Sequence, residues 1–206
     1  MRRVWFTALC LVILPVPLWA AAPPAGHMTA DRVVEVASFD SDLMAREIFR
    51  VTNEVRVQQG LAPLKSNPKL VTAAAGQAGI LALRIHSGHD NPLASHGDPY
   101  ARVLEEGLPA GLVGENAATL SAHNRETGHN YTYAELAAVI VRAWMDSPGH
   151  RKNLLDPTYR YLGCGARAAF LLRDPVVYSI QDFYTPAPSN NPLLSDELNN
   201  GGHITR

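Results

Sequence analysis

Trp144-Met145-Asp146-Ser147-Pro148-Gly149-His150-Arg151-Lys152-Asn153-Leu154-Leu155 closes one helix and opens another around a single histidine. Upstream, Tyr133 to Met145 places Leu136, Val139, Ile140 and Ala143 in alternating steps of three and four, the spacing of one buried helical face. Ser147-Pro148 ends that helix, and the serine caps a short turn over His150 to Leu154. Downstream, Tyr161 to Leu172 and Val176 to Phe183 read as two strands, with Arg173-Asp174-Pro175 turning between them. Tyr178, Gln181 and Phe183 then alternate, so Tyr178 and Phe183 face opposite sides of the sheet and Gln181 edges a cleft.

The first half of the chain is helical. Ser41 or Asp42 can cap a helix to about Gln59, with Met44, Ile48, Val51 and Val55 on one face and Gly60 as its stop. Asn67-Pro68 starts a second, whose Leu70, Ala74, Ala78 and Leu81 form a small-residue face suited to close packing. His86 to Pro99 is a loop rich in Gly, Asp, Asn and Pro. A short helix follows around Tyr100 to Glu106, then a Gly-rich segment into Gly114-Glu115-Asn116. Leu120 to Thr132 is polar and reads as an exposed insertion. Helices early and strands late predict an α+β fold, a sheet covered by helices.

The two ends carry no packing pattern. Arg2 and Arg3 precede an apolar run, Val4 to Leu18, and Ala20-Ala21-Ala22 supplies the small residues of a cleavage site. Residues 1–22 are therefore expected to be a signal peptide, with no stable membrane span after its removal. Residues 23–40 are expected to be a flexible lead-in, 41–186 the folded domain and 187–206 a disordered tail. Loss of the leader takes away two arginines and no acid, moving the formal charge from -1 to -3. Nucleic acid, which needs clustered Lys and Arg, is not an expected partner. Cys164 is then the one remaining cysteine; its small, apolar neighbours predict a buried, inert thiol.

Three segments hold titratable residues among turn-forming and apolar neighbours. They are Ala94-Ser95-His96-Gly97-Asp98-Pro99-Tyr100-Ala101-Arg102, Gly114-Glu115-Asn116-Ala117 and the Trp144–Leu155 stretch. His27 and His203 fall in the tails, His123 and His129 in the polar insertion, and His86 and His89 on a loop where nothing nearby specifies a role. Arg102 and Arg151 suit acidic groups, and a surface salt bridge accounts for either equally well. Metal-binding histidine pairs four apart, Gly-x-Ser-x-Gly and phosphate-cradling loops are absent from the sequence.

In this order the three motifs resemble bacterial members of the CAP superfamily, which includes cysteine-rich secretory proteins, antigen 5 and plant pathogenesis-related proteins. The likeness runs from about Arg46 to Tyr184, taking in Asn53, Arg56, Gly60-Leu61, Leu64, Leu70, Ala74 and Gln181-Asp182-Phe183. It implies a three-layer α-β-α sandwich with a surface cleft lined by two histidines and two acids, able in some members to hold a divalent metal. By that resemblance His96, Glu115 and His150 are the metal candidates. The usual second acid is replaced by Ser147, with Asp146 one residue earlier.

Two imidazoles and a carboxylate are a set that zinc accepts, with water in the open position. The same three side chains equally suit a hydrogen-bonded network holding distant segments together. Asn116, Trp144, Asp146, Ser147 and Gln181 complete the expected cleft. The leading expectation is a secreted, extracellular or periplasmic binding module for a small molecule, lipid, sterol or cell-envelope component. The alternative is a metal-assisted hydrolase or peptidase with Glu115 as its catalytic base.

Overall fold

A computed structural model describes residues 30–90 and 97–188. Its helices are α1 (Ser41–Gln58), α2 (Pro68–Arg84), α3 (Pro99–Glu105), α4 (Tyr133–Asp146) and α5 (Pro148–Leu154). Its strands are β1 (Lys65–Ser66), β2 (Gly111–Ser121), β3 (Tyr161–Leu171) and β4 (Asp174–Pro186), in the order β1-β3-β4-β2. β1 runs parallel to β3, and the other pairings are antiparallel. This is the expected α+β sandwich. α2 packs on one sheet face through Ala74, Ala78 and Leu81 against Tyr178 and Ile180. α1 and α4 pack on the other, where Met44, Ile48, Leu136, Ile140 and Trp144 share a core with Leu162, Cys164 and Phe183. Tyr178 and Phe183 therefore do face opposite layers.

Local chemistry explains the helix starts. Asp40, one residue before the predicted cap, accepts from Leu43 N–H and begins α1. Asn67 accepts from Lys69 and Leu70 to begin α2, as predicted. Thr132 and Glu135 form a reciprocal capping box at α4. Gly163 and Gly165 let α2 lie directly on β3, because a Cβ at either would run into the Leu70 or Ala74 backbone. Cys164 between them is fully buried, and burial holds its thiol well above the ordinary range.

Three local expectations change. The Gly-rich run Gly111–Ser121 is an 11-residue strand paired along its length with β4. Ala30 and Val34, assigned to the lead-in, are buried; Val34 N–H bonds Tyr131 C=O, and Ala30 C=O accepts from Ala134. The insertion is exposed over Arg125–Asn130 but anchored at its ends, with Ala122 buried and bonded to both Pro175 and Tyr131. Backbone bonds make both attachments, and these leave no side-chain signature. Among the described residues no helix is long and apolar enough to cross a membrane. The expected leader and most of the C-terminal tail lie outside the described residues.

Candidate functional site

Glu115 and Asn116 are neighbours on β2, the edge strand, so their side chains leave opposite faces of the sheet. Each holds one histidine. On the α2 face, Glu115 is almost fully buried; its Oε1 lies 2.8 Å from His89 Nδ1 and its Oε2 2.5 Å from Arg102 Nη2. Arg102 also donates to the carbonyls of His89, at 3.1 Å, and Gly97, at 2.7 Å. Gln77 donates to the same His89 carbonyl at 3.3 Å. Two buried side chains on α2 and α3 thus fix the His89 backbone while Glu115 fixes its ring.

On the α1/α4 face, Asn116 Nδ2 donates to His150 C=O and to Gln181 Oε1, each at 3.1 Å. Gln181 passes the chain on to Thr52 Oγ1 at 2.6 Å, and Thr52 to Ile48 C=O at 2.7 Å. Asn153 of α5 donates to Asn116 Oδ1 and to Glu115 C=O, both at 3.0 Å. Arg56, buried under α1, grips the end of the same short helix through Leu154 C=O and Asp156 C=O. α5 is thereby locked to the β2 edge, and His150 is carried over it.

The two imidazoles meet there, with ring centroids 6.3 Å apart and planes inclined by 56°. Their electrostatics are opposed. The bond to Glu115 raises the His89 pKa, outweighing partial burial. Burial, then the neighbouring His89, lowers that of His150. Asp182 stands opposite Glu115 in the β2–β4 register. Its carboxyl is fully buried beside that of Glu115. Burial and then the charge of Glu115 raise its pKa well above the ordinary 3.8, favouring the neutral form. A cleft of about 350 Å³ opens beside this cluster, lined by His89, Asp98, Pro99, Tyr100, Val113, Gly114 and Glu115.

The expected residues divide. Glu115 and His150 are at the site, and the imidazole beside them is His89; His96 lies outside the described residues. Asn116 and Gln181 stand behind His150 as a buried network rather than on the cleft wall. Trp144 is core, 1% exposed. Asp146 is exposed at the end of α4. Ser147 occupies the N-cap position of α5, but its side chain makes no capping bond. Arg102 is a buried partner of Glu115 rather than a surface ion pair.

The chain matches the cysteine-rich secretory protein, or CAP, family over residues 49–170. It belongs to that family. Among curated proteins, this CAP protein is 29% identical over 139 residues to the uncharacterized protein YkwD of Bacillus subtilis (strain 168), covering 66% of the chain and 48% of YkwD. It is also 29% identical over 120 residues to the uncharacterized membrane protein YlbC of the same organism, covering 58% and 30%. The chain thus spans less than half the length of the curated relatives it matches. The fold is shared with an extracellular SCP-domain protein of Bacillus anthracis, at 24% identity and TM-score 0.53, covering 70% of this chain and 41% of that one. An outer surface protein of Borrelia burgdorferi has TM-score 0.55 at 17% identity, covering 72% and 97%.

Zinc has a partial donor set in this CAP cleft. With Glu115 bonded to Nδ1, His89 keeps Nε2 for a ligand, the arrangement in which a carboxylate orients a metal-binding imidazole. His150, held toward the neutral form, supplies a second nitrogen. Glu115 itself is spent on His89 and Arg102. Among the described residues no three His, Cys, Asp or Glu side chains form a metal cage.

Proposed function

We propose that this CAP protein is a secreted binding module whose cleft receives the polar end of a lipid or other cell-envelope component between His89 and His150. The observation that carries the reading is the opposed pair itself. One imidazole is biased toward its cation by Glu115 and the other toward neutrality, so a donor and an acceptor stand side by side next to the cleft that His89 lines. A volume of about 350 Å³ suits the head of a ligand better than the whole of a large one. The outer face of α1 carries a separate, more apolar hollow of about 510 Å³ between Phe49, Arg50, Asn53, Glu54, Val57 and Gln58. The leader-like N-terminus supports export. A divalent cation entering between the imidazoles would supply charge for an anionic head group.

Titrating zinc into the protein by calorimetry tests the site. Binding heat in the wild type that is lost in both His89→Ala and His150→Ala supports it, and unchanged heat in those variants refutes it. His96→Ala, run beside them, tests whether that residue takes part. Lipid extraction from membranes tests the ligand class; no transfer at micromolar protein counts against lipid.

The hydrolytic alternative has one observation in its favour, an imidazole held toward neutrality beside one biased toward its cation. Its base would then be His150 rather than Glu115, both of whose oxygens are engaged. Zinc-dependent cleavage of a peptide library that disappears in His150→Ala would support it.

A further inference from the structure

Away from the cleft, the two non-glycine residues with positive φ among the described residues are Ile85 (51°) and Leu172 (59°). Glycine, asparagine or aspartate normally fills such positions, and a β-branched residue there is a marked outlier. Both side chains are also exposed, Ile85 at 55% and Leu172 at 93%. Ile85 follows the last turn of α2; Leu172 is the tip of the β3–β4 hairpin.

These two strained, exposed aliphatics share one end of the molecule. α2 and β3 run in the same direction, Leu70 lying on Gly163 and Ala74 on Gly165, with Ala82 packed beside Ala169 and Val176. The helix end and the hairpin tip therefore emerge together. Leu83 (75% exposed), Phe170 (56%) and Leu171 (40%) surround them. Arg84 and Arg173 are exposed within the same two segments and Arg167 three residues before Phe170 on β3, and none has an ion pair among the described residues. The acid of the turn, Asp174, is already answered by Arg125 at 2.7 Å.

We propose that this end of the domain, Leu83–Ile85 with Phe170–Arg173, is a docking surface for an anionic lipid bilayer. Apolar side chains on a rigid hairpin tip would enter the acyl boundary while the guanidinium groups of Arg84 and Arg173 meet the head groups, a charge complement that an apolar protein partner would not need. The backbone strain at Ile85 and Leu172 keeps aliphatic side chains pointed outward where glycine would be easier. The surface lies apart from the His89/His150 cleft, and its test is independent of the cleft reading.

A fluorophore sensitive to polarity, attached through Leu172→Cys in a Cys10→Ser background, reports the tip alone, because Cys164 is buried. Vesicles of phosphatidylcholine with phosphatidylglycerol should blue-shift its emission, and brominated lipid should quench it. Pure phosphatidylcholine vesicles should do so much less. In label-free flotation, Leu172→Gly and Phe170→Ser should each weaken binding about tenfold. Arg84→Glu and Arg173→Glu should each weaken it about fivefold or more at low salt. Leu172→Gly relieves the backbone, so its loss of binding is not a loss of fold. Unchanged emission with anionic vesicles overturns the proposal. So does a shift produced by the protein's own self-association without lipid, or by a protein partner in place of lipid.

Discussion

Replacing Arg102 by methionine removes the guanidinium that answers Glu115 on the sheet face. Glu115 is 1% exposed at its side chain and Arg102 7%, so water cannot substitute for the lost partner. Asp182 sits against the same carboxylate and, being an acid, supplies no countercharge. Breaking a buried pair from one side costs about 3–5 kcal/mol. For a chain of this size that corresponds to roughly 6–20 °C in melting temperature. Arg102→Met also frees the carbonyls of His89 and Gly97, which places the cost toward its upper end. Glu115→Leu combined with Arg102→Met should recover much of the loss, since an apolar pair leaves no uncompensated charge. Urea unfolding of wild type, both single variants and the double variant measures the coupling. A cost below about 1 kcal/mol for Arg102→Met, the size of an exposed ion pair, would refute the burial argument.

Asn116→Ala strips Gln181 Oε1 of its donor, frees the His150 carbonyl and leaves Asn153 only its bond to Glu115 C=O; a loss of about 1–3 kcal/mol is expected, with the His150 ring resonances broadened or shifted in NMR spectra. Gly165→Ala should cost at least about 1–3 kcal/mol by chemical denaturation, because its methyl would press on the Ala74 backbone rather than a yielding side chain. Asp182 carries a raised pKa, so the folded protein binds the proton more tightly than the unfolded chain. Its contribution is then most favourable below the ordinary 3.8 and declines as pH rises above it. Wild type should gain stability relative to Asp182→Asn as pH falls from about 7 toward 4, in denaturation series at fixed salt.

Sandwich and layers were legible because large apolar residues repeat with clean periods: Met44 and Ile48 in α1, Leu70 to Leu81 in α2, Tyr178 against Phe183 in β4. In α4 the predicted face was turned slightly; Ala137 and Val141 are buried, whereas Val139 and Ala143 are half-buried. β2 was hidden by composition. Gly111, Gly114, Asn116, Ala117 and Ala118 have little strand preference, and the strand forms because β4 offers a full ladder. At the site, Glu115 and His150 stood out from their turn-rich neighbours. His89 did not, since Arg102 and Gln77, distant in sequence, are what hold its loop over Glu115. Asp182 and Thr52 acquire meaning only when the sheet register and α1 bring them to Glu115 and Gln181.

The account turns on β2 presenting Glu115 to the ring of one histidine and Asn116 to the backbone of the other, so that two imidazoles of opposed character stand side by side. Histidine ring NMR followed through a pH titration tests this directly, in wild type and Glu115→Gln. The raised pKa of His89 means that its bond to Glu115 stabilises fully below 6.5 and is lost as pH climbs through the folded-state value. The predicted result is one midpoint above 6.5, assigned to His89 and falling in Glu115→Gln, and one below 6.5, assigned to His150. Midpoints for both residues at the ordinary value, indifferent to Glu115→Gln, would contradict it.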